Sequence, residues 1–295
     1  MPIMLDQQLR ELMTHDVSEF PITFFHDELA ALPNWAGPLH WHPEFEVATA
    51  QCGVLDYQVG KEHVRLNPGD SIFVNGNLLH GIRQLSGEIP DPMPNIVFYG
   101  AFLAAENSTV YRKYIRFILE CENLPYVVFR KECEAHVPVR RLIDEIYRHM
   151  QERGACYELS VQRNLISVFE YMIRHMDDLP RHSESRIRMN AQIRVQQMLS
   201  YIYEHYAESI THEDIAGAAN ISRSEAGRCF HSYTGHSPIE ALIQHRLQLA
   251  YALLESTDKS VQEISLACGF HSVNYFHRQY RRHYGTAPRC REKNG

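Results

Sequence analysis

No stretch of this sequence approaches the roughly 18 consecutive apolar residues that a membrane-crossing helix needs, which argues against a spanning protein. The N-terminus, MPIMLDQQLRELM, lacks a basic patch followed by an apolar run and brings in Asp6 and Glu11 early, so it does not read as an export signal. A cytoplasmic address with no membrane partner is the expectation. Missing too is any CxxC pair: the seven cysteines (Cys52, Cys121, Cys133, Cys156, Cys229, Cys268, Cys290) are odd in number and widely scattered. They read as reduced thiols, mostly small core fillers, and not as a disulfide or zinc framework. Positive charge is also scarce, the formal net charge being −7.

What the chain does have is enough apolar material, 44 % against 22 % charged, to exclude a disordered or collagen-like polymer. Its 295 residues exceed one core of ordinary size, so more than one domain is expected. The acidic average conceals an asymmetry. From Ile187 onward there are 12 lysines and arginines against 10 acids, while the remainder holds 17 against 26. Because phosphate attraction is felt within about a Debye length, the local face matters more than the sum.

The same C-terminal third contains a repeat. At an offset of fifty residues Ser222, Arg228, Phe230, Gly235 and Pro238 recur as Ser272, Arg278, Tyr280, Gly285 and Pro288. Upstream, Ile215, Ala218 and Ala219 match Ile264, Ala267 and Cys268 after one extra residue in the second copy's turn. Each copy reads as two short helices: Thr211 and Ser222 cap the first pair, Ser260 and Ser272 the second, with Asn220 and Cys268-Gly269-Phe270 at the turns. At the 3.6-residue period Ala226, Phe230 and Tyr233 face inward and leave Ser224, Gly227, Arg228 and His231 outside; Phe276 and Tyr280 leave Asn274, His277, Arg278 and Arg281 outside. Arginine forks onto a guanine edge and asparagine onto adenine, so these faces suit major-groove reading. One amphipathic helix over 239–254, roughly 24 Å long at 1.5 Å per residue, joins the copies and would place both reading helices on one side of a duplex.

The stretches IAGAANISRSEAGRCFHSYTGHSPIEAL and ISLACGFHSVNYFHRQYRRHYGTAP resemble the DNA-binding domain of AraC/XylS-type bacterial regulators. The resemblance covers about a third of the chain and implies base contacts from Ser224, Gly227 and Arg228, then Val273, Asn274 and Arg278. It further implies promoter DNA, RNA polymerase and a second copy of the chain as partners, a small-molecule effector with sugars among the candidates, and activation of transcription. The chain departs from the pattern at Gly227, at the small Ala226 and in lacking an aromatic after Pro288. The first reading helix is therefore expected to contribute phosphate contacts more than base discrimination.

Residues 20 to about 102 read as short strands, among them Phe45–Ala50, Val54–Val59, Ser71–Val74 and Ile96–Phe102, broken by Gly and Pro. Within them lie His40-Trp-His42-Pro-Glu-Phe-Glu46, the turn Asn67-Pro-Gly-Asp70, and His80. Even spacing along a strand puts side chains on one face, so His40, His42 and Glu46 are expected to converge, with His80 arriving from another strand. This pattern resembles the two motifs of cupin barrels, where three histidines and a glutamate hold a divalent metal; zinc, iron, nickel and manganese all suit such donors. The alternative is a metal-free effector pocket lined by His40, Trp41, His42, Glu46 and His80. A metal-dependent cupin enzyme fused to a DNA-binding module is the competing function. No catalytic set is evident, so the expectation is a sensor and not an enzyme.

From Pro138 the period changes to 3.6, giving stripes at Val139, Leu142, Ile143, Ile146, Tyr147 and Met150 and, after Gly154, at Val161, Leu165, Val168, Phe169, Met172 and Ile173. Such a hairpin either covers the barrel or pairs with a second subunit, and the second is preferred here because dimers match paired half-sites. The expected architecture is α+β and multidomain: a cupin-like β-barrel over 1–136, a dimerising helical hairpin over 137–177, a polar linker over 178–186, and an all-α domain with two helix-turn-helix units over 187–295. Ligand binding to the first part would then alter how the reading domains meet DNA.

Overall fold

The computed structural model describes residues 20–26, 29, 35–121, 123–179, 186–257 and 259–288. Their contacts divide the chain into two compact units that meet at Met189 and Asn190. Of the linker expected over 178–186, residues 180–185 lie outside the described residues, while Leu179 is buried in the first unit's core and Arg186 begins a helix.

Among the described residues, nine antiparallel strands form the first unit's framework: β1 Ile22–His26, β2 Ala36–His40, β3 Phe45–Thr49, β4 Val54–Val59, β5 Glu62–Leu66, β6 Ser71–Val74, β7 His80–Ser86, β8 Pro94–Phe98 and β9 Tyr126–Phe129. They make a five-stranded sheet in the order β1-β8-β3-β6-β9 and a four-stranded sheet in the order β2-β7-β4-β5. Among the described residues no strand pair joins the two sheets, so the expected barrel is built as two facing sheets. Leu55, Tyr57 and Val59 alternate inward along β4 and meet Ala48, Ile72 and Val74 of the opposite sheet. The strand expected at Ile96–Phe102 ends at Phe98, because Gly100–Leu103 turns into a short helix, α1. A second one-turn helix, α2, covers Arg116–Leu119.

The hairpin helices are α3 Val137–Glu152 and α4 Tyr157–Arg174. Arg153 and Cys156 turn the chain between them in the left-handed region, at φ 45° and 60°. Their apolar stripes are covered from within the chain. Val139, Ile143, Ile146, Val161, Leu165, Val168 and Met172 are buried against the outer face of the five-stranded sheet, and the Phe169 ring stands 5.2 Å from Phe45, 5.7 Å from Phe73 and 6.2 Å from Phe98. The hairpin thus belongs to the first unit, and the stripe assigned to a second subunit is already occupied. A sheet buried on both sides needs such a cover, which is why every residue of β3 is buried. Tyr147 anchors it: its hydroxyl lies 3.1 Å from the Val47 carbonyl and 3.1 Å from the Thr49 hydroxyl.

The second unit is helical: α5 Arg186–Glu204, α6 His212–Ala218, α7 Arg223–Thr234, α8 Pro238–Ser256, α9 Val261–Ala267 and α10 Val273–Tyr284. The N-caps fall where local chemistry places them. Thr211, Ser222, Ser237, Ser260 and Ser272 each accept a hydrogen bond from a backbone N–H three residues on, and Thr211, Ser237 and Ser260 complete capping boxes. Helices α7 and α10 have equal length, begin fifty residues apart and end at Gly235 and Gly285, both left-handed. Among the described cysteines Cys268 is buried and Cys121 packs half-buried against the first unit's core, whereas Cys52 and Cys156 are exposed, so the core-filler reading holds in part; Cys290 lies outside the described residues.

Candidate functional site

Two sites emerge, one in each unit. In the first, His40 closes β2 and is directly paired with His80 at the start of β7, while Glu46 projects from β3 in the opposite sheet. His42 follows β2 in the connection to β3, so the two histidines do not share a strand as the spacing suggested. The four side chains nevertheless converge: their donor atoms all lie within 4.8 Å of one another, at exposures of 6, 1, 3 and 1 % for His40, His42, Glu46 and His80. Trp41 is half-buried and is not one of the converging donors.

Each imidazole is aimed by its backbone. The Nδ1 atoms of His40, His42 and His80 lie 2.9, 3.2 and 2.7 Å from the carbonyl oxygens of Pro38, Glu44 and Leu78. A carbonyl only accepts, so each Nδ1 carries the proton and each neutral ring keeps its lone pair on Nε2. Those lone pairs meet a carboxylate. His80 Nε2 is 3.0 Å and His42 Nε2 3.4 Å from Glu46 Oε2. Burial, with His80 and His42 adding to it, holds His40 well below the usual imidazole value. Burial opposes ionisation of Glu46, yet positive charge on the facing His42 and His80, with the hydrogen bonds that such charge brings, outweighs it and draws the carboxyl well below the usual range.

Two lone-pair atoms 3.0 Å apart repel unless positive charge lies between them. A second proton on a buried ring is the costly way to supply it; a cation coordinated by all four donors is the direct one. The donor set therefore fits a divalent transition metal. Sequence reasoning missed two neighbours. Tyr57 of β4 donates to Glu46 Oε1 at 2.9 Å, and the buried Glu44 places Oε2 3.6 Å from His42 Nδ1. Glu44 shares the parity of Glu46 along the motif, which was a legible signal; Tyr57 comes from the other sheet and left none.

In the second unit, α7 buries Ala226, Phe230 and Tyr233 and exposes Ser224, Arg228 and His231, with Gly227 half-buried. On α10, Phe276 and Tyr280 are buried, Asn274, Arg278 and Arg281 are exposed, and Val273 and His277 are half-buried. The faces are as the period dictated. Arg228 donates to the Ser224 hydroxyl at 2.7 Å, and Arg278 lies 5.7 Å over the Tyr275 ring. His277, Arg278, Arg281 and Arg282 line one concavity, which adds Arg282 to the residues read from the sequence.

Comparison with known proteins agrees with this division. A helix-turn-helix domain family matches residues 215–293, and a cupin domain family matches residues 30–90. The uncharacterized HTH-type transcriptional regulator YdeC of Bacillus subtilis (strain 168) is 27 % identical over 284 residues, 96 % of each chain. The melibiose operon regulatory protein of Escherichia coli (strain K12) is 25 % identical over 258 residues, 84 % of this chain and 81 % of that protein. A solved transcriptional regulator from Chromobacterium violaceum, described with AraC-type DNA-binding domain-containing proteins, is 33 % identical with a TM-score of 0.32, covering 34 % of this chain and 89 % of its own.

Proposed function

We propose, from the premise that this chain belongs to the AraC-type transcription regulators and joins a DNA-binding helix-turn-helix domain to a cupin domain, that the cupin unit holds a divalent transition metal and sets DNA binding in response to a small molecule. His40, His42, Glu46 and His80 would hold the ion, with Tyr57 orienting the carboxylate. Zinc, iron, nickel and manganese are all served by this donor set. Such an ion supplies a fixed positive charge that ties the two sheets together and a Lewis-acid point for a ligand oxygen or nitrogen. The observation that carries this is the 3.0 Å approach of His80 Nε2 to Glu46 Oε2 beside rings whose Nδ1 protons are already committed.

On the DNA side, Arg278 and Asn274 read base edges, and Arg228, Ser224, His231, Arg281 and His277 contribute mainly to the backbone, with Val273 and Gly227 permitting close approach. The chain acts as a cytoplasmic homodimer that activates transcription through contact with RNA polymerase. With its hairpin stripe covered, a second copy would use another surface. A relative named for a melibiose operon keeps a sugar among the candidate effectors. The bond from Tyr147 to the strand carrying Glu46 supports passage of the ligand's effect from sheet to hairpin. The relatives' names as regulators favour a sensor over an enzyme.

Elemental analysis of the purified chain is expected to find one first-row ion per copy in the wild type and none after His42→Ala with Glu46→Ala. Selection from random duplexes should return one sequence motif. An ion retained by the double variant, or a wild type that stays empty after loading, sinks the metal assignment; failure to enrich any motif, with candidate effectors present or absent, sinks the assigned reading residues.

A further inference from the structure

The two helix-turn-helix units are joined by α8, but a single helix leaves its two ends open to bending and twisting. A second connection exists. Arg246, near the middle of α8, donates from Nε to the Tyr206 carbonyl at 2.7 Å and from Nη2 to the Glu208 carbonyl at 2.7 Å. Those carbonyls lie in the segment between α5 and α6 that leads into the first helix-turn-helix unit. The same guanidinium lies 5.8 Å over the ring of Phe270, which belongs to the turn of the second unit and is buried in its core.

The flanking residues extend the contact. Gly269 sits at φ +78°, and a Cβ there would come within 2.5 Å of the Tyr206 carbonyl and 3.0 Å of Arg246 Nε. His271 Nε2 and the Ser209 hydroxyl are 2.7 Å apart. Residues 269–271 of one unit thus touch 206–209 of the other, with Arg246 between them. The neighbouring His245 packs against Tyr203 and Tyr206, at ring separations of 4.0 and 5.4 Å, and fixes the same segment from the side.

We infer that Arg246 is a positioning residue for DNA recognition: with Gly269, Phe270 and the Ser209–His271 bond it clamps the two helix-turn-helix units to each other and so sets the spacing of the DNA segments they read. The chemistry selects arginine. Its planar fork satisfies two carbonyls while one face remains for an aromatic ring; a lysine ammonium is a point donor that cannot span both. Two bodies held at two places no longer hinge, so α7 and α10 reach the duplex in one arrangement, and the ordering cost is met before DNA arrives. The inference rests on both units contacting DNA and is independent of what the cupin unit binds.

The test uses the full chain and its selected operator, together with operators carrying one base pair more or fewer between the two contacted segments. The wild type should lose affinity steeply on either altered spacing. Arg246→Ala should bind the natural spacing on the order of tenfold less tightly and show a much smaller further loss when the spacing changes. Arg246→Lys should fall between. Ser209→Ala, which removes one bond at an exposed position, should move in the same direction by less and guards against misfolding of the arginine variant. Melting is recorded for each. A variant that keeps the wild-type spacing penalty, or that loses affinity equally on all spacings with a lowered melting point, overturns the inference. A wild type that binds its operator tightly yet ignores spacing overturns it too, leaving DNA binding itself intact.

Discussion

At a constant offset of fifty residues, Ser224, Gly227, His231 and Ser232 of α7 correspond to Asn274, His277, Arg281 and Arg282 of α10. The backbone is repeated, caps included, while the outward side chains, Arg228 and Arg278 apart, are not. Part of the first copy's charge is also spent at home: Arg223 pairs with Glu213 at 3.0 Å, and Glu225 pairs with Arg194 of α5 at 2.6 Å. Among the described residues no such pair involves Arg278, Arg281 or Arg282. One duplicated scaffold therefore carries two electrostatic loads, the heavier of them on the second copy. Helix-turn-helix geometry can be inherited whole while reading chemistry is edited at four or five exposed positions whose change costs the fold little.

The largest effect that would break this contrast is a comparison of single arginines. Arg278→Ala is expected to weaken specific operator binding by about 1–3 kcal/mol and Arg228→Ala by clearly less, read by fluorescence titration on the selected operator. Equal losses would mean that the copies read alike. In the same titrations, replacing Arg281 and Arg282 with Gln should lower the slope of log affinity against log salt by about 2.

Next comes the scaffold both copies share. Burial, reinforced by the adjacent Arg246, lowers the His245 imidazole to about 4. Its ordinary value is 6.5, so protonation favours the unfolded chain; the contribution is intact above 6.5 and drains away as pH falls toward 4. Stability should fall on the order of 1 kcal/mol per pH unit across that window, measured by urea denaturation, and His245→Phe should flatten the acid limb. Because α8 joins both copies, they should unfold together; two separate transitions in acid would show that they do not share one framework.

The smallest effect separates the copies at one position. A Cβ at Gly227 would meet only the His212 ring, at 3.7 Å, so Gly227→Ala should add about 0.5–1 kcal/mol of stability by easing the helix. Unchanged operator affinity would fit a first helix that mainly holds phosphate; a sharp loss would show DNA approaching the backbone there.

How much of this was legible varied with the range of the forces involved. Caps, turns and the repeat rest on contacts three or four residues apart, so Ser222, Ser260 and Gly235 announced their roles directly. The cluster of three histidines and Glu46 was half legible: alternation grouped His40, His42 and Glu46, although His42 lies off the strand. An apolar stripe records that something covers it but not what: the stripes of α3 and α4 suit a partner subunit as well as a sheet, and it is Phe45, Phe73 and Phe98 of the sheet that lie beneath Phe169. Tyr57 against Glu46 and Arg246 against Tyr206 and Phe270 join residues distant in sequence, and no local pattern foretells them.

The three ring tethers to Pro38, Glu44 and Leu78 each span only two residues. Aim is thus written into short stretches of main chain that hold the rings by themselves. Under the proposed metal reading, an ion would come and go without refolding of the chain, and occupancy would follow its supply.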